Sequence, residues 1–330
     1  MAAHQFLQPR MPSMVFLVMI MVVGMGACGM AGSLERTIRR INQKGPFLGI
    51  VIPNSFQMSP LLNSSSFKPD PQLSNYLDIS GKRFRIGRVE DKKVIMVMTG
   101  LSMLNAGVTT QLLLTLFRIK GVVHYGIAGN ANPGLQIGDV TVPRYWAHTG
   151  LWTWQKYGDG AGDDLPTGTK TSRSTTPEQI RGTPEEVVPV NGVPEEVQEA
   201  FWVPVDRHYL AVSEKLKELK LERCVNATTC LPRPPVVAIV ERGITSNIFV
   251  DNKAYREFLY SKFNATAVDM ETAAVALICL QQRTPFIAIR SLSDLAGGGS
   301  SLSNEASTFG NLAAQNVVDA VIKFVQLLGS

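Results

Sequence analysis

Acidic residues follow two apolar segments of the sequence, in positions where they could bind a sugar or transfer a proton. Asp269-Met270-Glu271 comes at the end of the predicted strand Ala267–Asp269 and opens an apolar helix. In a first helical turn, carboxylates can simply cap free N–H groups and complement the helix dipole. The two oxygens of the Glu271 carboxylate could instead accept hydrogen bonds from both hydroxyls of a ribose. The spacing alone favours the capping role.

A further acidic residue, Asp294, closes the segment Arg290-Ser291-Leu292-Ser293-Asp294 at the end of the apolar strand Phe286–Arg290. One interpretation is structural, with a helix cap and a salt bridge. The other is chemical, because a carboxylic acid at a dry sheet edge has a raised pKa and can donate a proton. The residues by themselves favour neither interpretation.

A glycine-rich segment, Gly126-Ile127-Ala128-Gly129, directly follows the predicted strand Gly121–Tyr125. Because glycine adds no side chain and tolerates unusual φ angles, a ligand could approach the backbone closely here. The segment lacks the G-x-G-x-x-G fingerprint of dinucleotide-binding proteins, and the sequence contains no P-loop motif. A tight structural turn is an equally good interpretation.

The elements that position these residues alternate between strands and helices, and most of the strands are continuous apolar runs. The predicted strands are Leu48–Ile52, Arg83–Val89, Val94–Met98, Gly121–Tyr125, Asp139–Pro143, Val236–Val240, Ala267–Asp269 and Phe286–Arg290. The predicted helices are Leu34–Asn42, Asn105–Phe117, Arg207–Lys220, Lys253–Phe263, Thr272–Gln282 and Glu305–Leu328. This order indicates a single α/β domain of three layers, with a mostly parallel, mixed and twisted sheet flanked by helices. Ligands bind such sheets beyond the carboxyl ends of the strands, so the loop Pro53–Leu62 is a further candidate.

The overall composition is that of an ordinary globular protein. The chain has 330 residues, of which 45% are hydrophobic and 18% charged, with a net charge of +5. No basic block with interleaved aromatic residues is present, which disfavours nucleic acid as a partner. Residues Gln155–Pro204 are rich in Gly, Pro, Thr and Glu and show no periodicity. They predict a long surface excursion, such as a lid over a site.

The N-terminal residues have the proportions of a secretory signal peptide. Arg10 precedes the apolar run Met14–Met25, and small residues follow it up to Ser33. This pattern predicts a signal peptide over residues 1–32, a domain over residues 33–330, and export to the extracellular space or the vacuole. A stable membrane anchor is disfavoured because a span needs about 20 apolar residues, and this run is shorter and broken by glycines. Lipid attachment at Cys28 is a weaker alternative, because Met25 matches that signal poorly.

Export bears on the cysteines and on three Asn-x-Ser/Thr sequons. Cys224 and Cys230 flank a short polar loop and are a plausible disulfide pair in an oxidising compartment. A zinc site is the competing interpretation, but no histidine lies nearby and the ligand number is wrong. No metal or cofactor is therefore expected. The sequons predict glycosylation at Asn63, Asn226 and Asn264.

Three longer segments resemble the diagnostic segments of the nucleoside phosphorylase superfamily. They read VVHYGIAGNANPGLQIGDVTVP, ATAVDMETAAVALIC and PFIAIRSLSDLAGG, in that order along the chain. The similarity is strongest to the methylthioadenosine/S-adenosylhomocysteine nucleosidases and to the plant bark or vegetative storage proteins of the same fold. It runs from about Gly49 to Leu328 and is interrupted by the Gln155–Pro204 excursion.

The resemblance implies a role for each matching residue. Asp294 matches the acid that protonates the purine N7 as the base leaves. Glu271 matches the residue that binds the ribose hydroxyls, and Met270 the one that packs against the sugar. A purine or purine nucleoside is the implied small-molecule partner, and a homo-oligomer is the implied assembly.

Other matching residues form the walls of the implied pocket. Ala128 and Gly129 match its backbone floor, Phe249 and Val250 the segment that sandwiches the base, and Phe309 an apolar wall near the 5′ end of the nucleoside. Together with the sugar-binding pair, the implied substrate-binding residues are Ala128, Gly129, Phe249, Val250, Met270, Glu271, Ser293 and Phe309.

The sequence departs from the family pattern on the side that activates the attacking group. Gln57 stands where the nucleosidases have a glutamate that activates water, and an amide cannot accept a proton at neutral pH. His124 and Ile127 stand where the phosphorylases bind phosphate with an arginine and a serine.

Three functional hypotheses follow from these departures. The first is a secreted N-glycosidase of purine nucleosides that favours hydrolysis over phosphorolysis and is weakened by Gln57. The second is a storage protein that keeps the fold with reduced catalysis. The third is a nucleoside-binding sensor.

Overall fold

The computed structural model describes residues 32–151, 184–187, 197–297 and 305–329. Helix α1, over residues 32–44, belongs to a separate unit that ends at Gly45, and residues from Pro46 onward form one compact unit. The apolar run Met14–Met25, on which the predicted signal peptide depends, lies outside the described residues. Within the described residues, no helix has the length and apolar character needed to cross a membrane.

Thirteen strands and six further helices make up the described part of the compact unit. The strands are β1 (Phe47–Ile52), β2 (Phe67–Pro69), β3 (Tyr76–Ile79), β4 (Lys82–Val89), β5 (Lys92–Met98), β6 (Ile119–Asn130), β7 (Val140–His148), β8 (Glu185–Val187), β9 (Gln198–Ala200), β10 (Val203–Pro204), β11 (Val237–Thr245), β12 (Ala265–Asp269) and β13 (Phe286–Asp294). The helices are α2 (Ser55–Asn63), α3 (Met103–Leu116), α4 (Arg207–Ser213), α5 (Lys253–Phe263), α6 (Thr272–Gln281) and α7 (Glu305–Leu327), and a 3₁₀ turn over Glu214–Glu218 follows α4.

Eleven of the strands form one mixed sheet. Strand β1 pairs in parallel with β5 and β6, and β6 pairs in parallel with β13. All six residues of β1 are buried, as expected for an apolar strand covered on both faces. Helix α7 packs against β13 and β6, whereas α3 and α6 pack against each other. The predicted single α/β domain with a mixed sheet flanked by helices is confirmed.

Strand β6 is longer than its sequence pattern predicts. The segment predicted as a turn, Gly126–Gly129, is part of this strand and pairs with β13 from Gly126↔Arg290 to Gly129↔Asp294. A register shift between Leu292 and Asp294 interrupts that ladder. Such a bulge bends the strand and redirects the side chains beyond it, which sets the direction of Asp294.

The loop predicted over Pro53–Leu62 is mostly helical. Helix α2 begins after Asn54, whose Oδ1 accepts a hydrogen bond of 3.1 Å from Gln57 N. The helix contains Pro60 and buries Gln57, Met58 and Leu61. It therefore places Gln57 inside the protein rather than on an open loop.

Two further segments complete the described chain. In the Gln155–Pro204 excursion, β8 and β9 form an antiparallel pair, while residues 152–183 and 188–196 lie outside the described part. Cys224 and Cys230 are joined by a disulfide, with a Cα separation of 4.0 Å. Cys279 is a buried free thiol in α6.

Candidate active site

A buried guanidinium lies at the centre of the polar cluster that joins β6, β12 and β13. Arg290 is fully buried, and its Nη2 lies 2.8 Å from Asp269 Oδ2 and 4.0 Å from Glu271 Oε2. The same nitrogen donates to Thr272 Oγ1 at 2.7 Å and contacts His124 Nε2. Among the described residues, the salt bridges of Arg290 are with Asp269 and Glu271, so the structural pairing considered for Arg290 and Asp294 is wrong.

The hydrogen bonds of His124 fix its protonation state. Its Nδ1–H donates to the Val51 carbonyl at 2.9 Å, so Nε2 is the acceptor that faces Arg290. Burial, and then the positive charge of Arg290, hold the pKa of His124 well below its usual range. His124 is therefore a neutral spacer within the cluster and carries no charge for an anion.

Gln57 reaches into the same cluster from α2. Its Oε1 accepts a hydrogen bond of 3.0 Å from Ile127 N. A Cβ on Gly126 would clash with both Gln57 Oε1 and Arg290 Nη1, so only glycine permits this close approach. Arg290 Nη1 has no hydrogen-bond partner among the described residues. The carbonyl of Gln57 is thus held by the backbone, and its amide nitrogen can only donate.

Capping of α6 falls to Asp269 rather than to Glu271. Asp269 Oδ1 accepts hydrogen bonds from Thr272 N at 3.2 Å and Glu271 N at 3.3 Å. Glu271 occupies the N-cap position, but its side chain makes no cap hydrogen bond and instead accepts from Ser102 N at 3.1 Å. The capping role that the spacing favoured for these carboxylates therefore holds for Asp269 and not for the Glu271 side chain.

The Glu271 carboxyl is buried and has a raised pKa. Burial is the main cause, and the neighbouring Asp269 charge adds to it, while Arg290 and the backbone N–H of Ser102 act in the opposite direction. Ser102 holds a φ of 87°, which is uncommon for a residue with a side chain. A strained backbone at the site thus presents its N–H to Glu271.

Asp294 lies at the end of β13 with its carboxyl largely out of water. Its Oδ1 is 2.6 Å from Ser293 Oγ, and its Oδ2 would lie 3.5 Å from a Cβ on Gly129. Burial raises the pKa of Asp294, the Ser293 hydrogen bond lowers it, and the charge of Asp251 raises it further. The raised pKa favours the protonated form of Asp294, which is the form that can donate a proton.

The remaining predicted pocket residues differ in exposure. Ala128 is buried, and its carbonyl lies 3.3 Å from Ser293 Oγ. Val250 is buried in an apolar cluster, whereas Phe249 is 67% exposed and Met270 is half-buried. Phe249 therefore has most of its ring free for a ligand or a partner.

Phe309, implied as an apolar wall of the pocket, is partly buried. It packs against the cluster of buried side chains Ile137, Leu231 and Leu312.

Two features of the cluster were not predicted from the sequence. Arg290 and His124 organise the buried charges, and Ser102 holds Glu271. An arginine within an otherwise apolar strand is the one signal in the sequence that could have revealed the first of these. Within the described ranges, no group of three or more His, Cys, Asp or Glu side chains is arranged to hold a metal ion.

A cavity of about 710 Å³ elsewhere in the domain is bordered by Arg144, Val205, Cys279, Arg283 and Phe286, among others. Neither Glu271 nor Asp294 lines it. We place the candidate active site at Glu271 and Asp294, because titratable side chains with perturbed pKa values are typical of functional sites.

Comparisons with known proteins agree with this architecture. The family model described as "Phosphorylase superfamily" matches residues 48–326. The chain is 34% identical to bark storage protein A of Populus deltoides over 281 residues, which covers 84% of this chain and 88% of that protein. It is 26% identical to a 5′-methylthioadenosine/S-adenosylhomocysteine nucleosidase of Oceanobacillus iheyensis over 250 residues, covering 75% of this chain and 89% of the relative.

Solved structures show the same fold at lower identity. The Colwellia psychrerythraea 5′-methylthioadenosine/S-adenosylhomocysteine nucleosidase in complex with adenine matches with a TM-score of 0.61 and 21% identity, over 85% of this chain and 95% of that one. The Helicobacter pylori futalosine hydrolase matches with a TM-score of 0.60 and 20% identity, over 85% of this chain and 97% of that one.

Proposed function

Because the chain belongs to the phosphorylase superfamily, we propose that it binds a purine nucleoside and slowly hydrolyses its N-glycosidic bond. The observation that carries this proposal is the presence of two carboxyls, the buried Glu271 and the partly buried Asp294, each with a raised pKa and each held by a different neighbour. Titratable groups with perturbed pKa values are typical of functional sites.

Each carboxyl has one task in the proposed reaction. Asp294 donates its proton to N7 of the purine, so that the base leaves as a neutral molecule while positive charge develops on the ribose. Glu271, already anchored through Ser102, accepts hydrogen bonds from the ribose hydroxyls. Gln57 holds the water whose oxygen bonds to C1′ of the ribose as the C1′–N9 bond breaks. Its amide accepts no proton, so the water proton passes to solvent, and Asp294 is reprotonated from solvent. We infer that attack by this water, without a base, limits the rate.

Two observations support water rather than phosphate as the attacking group. His124 is neutral and engaged at both ring nitrogens, and Ile127 offers only its backbone N–H, which is bonded to Gln57. A phosphate dianion is best bound by charged forks and hydroxyls, which these two positions do not supply. Arg290, the one buried cation of the cluster, is shared with Asp269 and Glu271.

A nucleoside panel tests the proposal. Purine nucleosides with varied 5′ groups are incubated with the full-length protein, with and without phosphate, and the free base is quantified. We expect slow release of base that phosphate does not change. Stimulation by phosphate would contradict the hydrolytic proposal, and the absence of both binding and turnover for every nucleoside would contradict the proposed function.

A storage role is the second candidate, favoured by the state of Gln57. Its Oε1 accepts a hydrogen bond from Ile127 N, and an amide cannot take a proton from water at neutral pH. The 34% identity to a bark storage protein points in the same direction. Binding of a nucleoside without turnover, together with abundant accumulation of the protein, would favour this candidate over the enzyme.

We further propose that the chain is exported, either out of the cell or to the vacuole. The signal-like residues 1–32 and the disulfide between Cys224 and Cys230 support export, because disulfides persist in oxidising compartments. N-terminal sequencing of the mature protein should begin between Ala31 and Leu34. A mature chain that retained Met14–Met25 would contradict this proposal.

A homo-oligomer is the proposed assembly, on the evidence of exposed apolar side chains near the site. Leu101, Leu104 and Val108 are 56%, 76% and 50% exposed, and Phe249 is 67% exposed. A hydrogen bond of 2.9 Å from Met103 N to Asn247 Oδ1 ties the start of α3 to the segment that carries Phe249. Leu104 and Val108 are one helical turn apart on α3, and exposed apolar patches are typical of interfaces. Leu104→Glu should therefore shift the protein to smaller species in sedimentation.

A further inference from the structure

The outer face of α2 borders a cleft that the proposed reaction does not use. The cleft has a volume of about 510 Å³, and its lining residues include Phe56, Ser59, Pro60, Asn63, Asn311 and Gln315. Helix α2 contributes one wall and α7 the other. Among the described residues, the cleft is lined by no charged side chain and by one aromatic side chain, Phe56.

The cleft begins at a sequon and ends at an aromatic ring. Asn63, the acceptor of the sequon Asn63-Ser64-Ser65, is the last residue of α2 and is exposed. Phe56 lies about 10 Å before it along the helix axis, at a rise of about 1.5 Å per residue. Because side chains of a helix lean towards its N-terminus, Asn63 points back along α2 in the direction of Phe56.

The Phe56 ring is held in place but not covered. A Cβ on Gly310 of α7 would lie 3.4 Å from Phe56 Cζ, so the ring rests against the helix where a side chain is missing. Phe56 nevertheless remains 41% exposed. One part of the ring is therefore fixed by α7, and the rest is available to a ligand.

The chemistry of the lining matches a neutral sugar. Amide and hydroxyl side chains donate to and accept from sugar hydroxyls and acetamido groups, and an exposed ring packs against an apolar sugar face. Gln315 Nε2 donates to Asp319 Oδ1 at 2.8 Å, so the side-chain carbonyl oxygen of Gln315 points away from Asp319. Pro60 has no N–H to offer the Phe56 carbonyl, so this helix carbonyl lacks its usual donor.

We propose that Asn63 carries an N-linked glycan whose N-acetylglucosamine core lies along α2 in this cleft, against Phe56. In its formation, Asn63 Nδ2 bonds to the anomeric carbon of a lipid diphosphate-linked oligosaccharide. The carbon–oxygen bond to the diphosphate breaks, the lipid diphosphate leaves, and the amide nitrogen loses one proton to solvent. The proposal rests on export and is independent of nucleoside cleavage.

Tethering makes a weak sugar site effective. A ligand attached at the rim of its own site has an effective concentration in the millimolar range, so modest contacts suffice for occupancy. The glycan thereby stabilises α2, the helix that also carries Gln57 on its inner face.

Asn226 provides a matched control among the three sequons. It is exposed in the disulfide loop, where its Oδ1 accepts from Thr228 N at 3.0 Å and Thr229 N at 2.8 Å. It does not line the cleft, so a glycan there has no route to Phe56.

The test is a double-mutant cycle on full-length protein secreted from a eukaryotic host. Glycopeptide mass spectrometry first establishes occupancy at Asn63. Thermal unfolding is then measured for the wild type, Asn63→Gln, Phe56→Ala and the double variant. We expect loss of the Asn63 glycan to lower Tm by about 2–4 °C when Phe56 is present and by clearly less when it is not. Hydrogen exchange within Ser55–Asn63 should rise in parallel.

The control repeats the cycle with Asn226→Gln, whose effect on Tm should be the same with Phe56 and with alanine at that position. An unoccupied Asn63 in the secreted protein would overturn the proposal. Equal Tm losses for Asn63→Gln in both backgrounds would overturn it as well. Neither outcome affects the nucleoside panel, so the two proposals fail separately.

Discussion

The two halves of the candidate active site both contain polar side chains taken out of water, but only one half has carboxyl groups. In the proposed reaction, the half that faces the leaving base and the ribose holds Asp294 and Glu271, two carboxyls whose pKa values are raised mainly by burial. The half that the proposal assigns to the attacking group holds Gln57 and His124, both buried and both neutral.

Arg290 contacts residues of both halves, and one of its N–H groups lacks an acceptor on the side of Gln57. Its Nη2 contacts Asp269, Thr272 and His124. Its Nη1 lies near Gln57 Oε1 and has no hydrogen-bond partner among the described residues. A buried N–H of a charged group without a partner carries a desolvation cost. A carboxylate in place of the Gln57 amide would give that N–H a charged acceptor. The surroundings of Gln57 would therefore accommodate a glutamate at this position.

The largest expected effect is a loss of turnover when the proposed acid, Asp294, is replaced. Asp294→Asn keeps the shape of the side chain but cannot donate a proton with the strength of a carboxylic acid. Turnover of the best nucleoside should fall by about 10²–10⁴-fold, the usual contribution of general acid–base catalysis. Affinity should change much less, because protonation matters mainly in the transition state. Full activity in this variant, measured by base release, would show that Asp294 is not the acid.

A smaller but still large effect concerns the connection between the halves. Arg290→Met leaves the buried Asp269 carboxylate without its cation, a change that typically costs about 3–5 kcal/mol of unfolding free energy. Denaturant unfolding should show this loss, and adding Asp269→Asn should recover part of it. Arg83→Met, which breaks the exposed pair with Asp78, is the control and should change stability little. A loss in Arg290→Met no greater than in the control would contradict the role given to Arg290.

The smallest expected effect is a pH-dependent gain in the thermal stability of the protein when Asp294 is replaced by asparagine. Because the folded-state pKa of Asp294 is raised, the folded protein binds its proton more tightly than the unfolded chain does. This contribution is fully present below the unfolded pKa of about 3.9 and is lost as pH rises through the folded value. Asp294→Asn should therefore raise Tm at neutral pH, and the gain should shrink on acidification.

Asp78→Asn is the opposite case, because the Arg83 hydrogen bond lowers the pKa of Asp78. That variant should lose a little stability at neutral pH and regain parity with the wild type in acid. If both variants shifted Tm in the same direction across the pH range, burial would not be the cause of the raised Asp294 pKa.

The sequence predicted the framework well where local pattern and tertiary packing agree. The helix predicted over Lys253–Phe263 has those bounds, and the buried strands lie where continuous apolar runs predicted them. Helix α2 was missed because Pro60 and two serines interrupt its apolar spacing, and its stability comes from packing of Met58 and Leu61. Strand β6 was cut short because glycines read as a turn, whereas pairing with β13 extends the strand.

The site was only partly predictable for a related reason. Glu271 and Asp294 were found through family resemblance, and the structure adds the burial that raises their pKa values. The contacts of Arg290 with Asp269 and His124 join three strands that are distant in sequence. No spacing rule reports such contacts, because they depend on which strands the sheet makes neighbours.

Single-turnover base release by Gln57→Glu tests the central claim most directly, with Gln57→Met as a control of similar size that adds no base. The restored carboxylate should speed hydrolysis by about 10²–10⁴-fold and give the pH profile an ascending limb as it ionises. The methionine variant should be no faster than the wild type. An unchanged rate in Gln57→Glu, with nucleoside binding intact, would contradict the claim that this one amide separates the chain from an efficient nucleosidase.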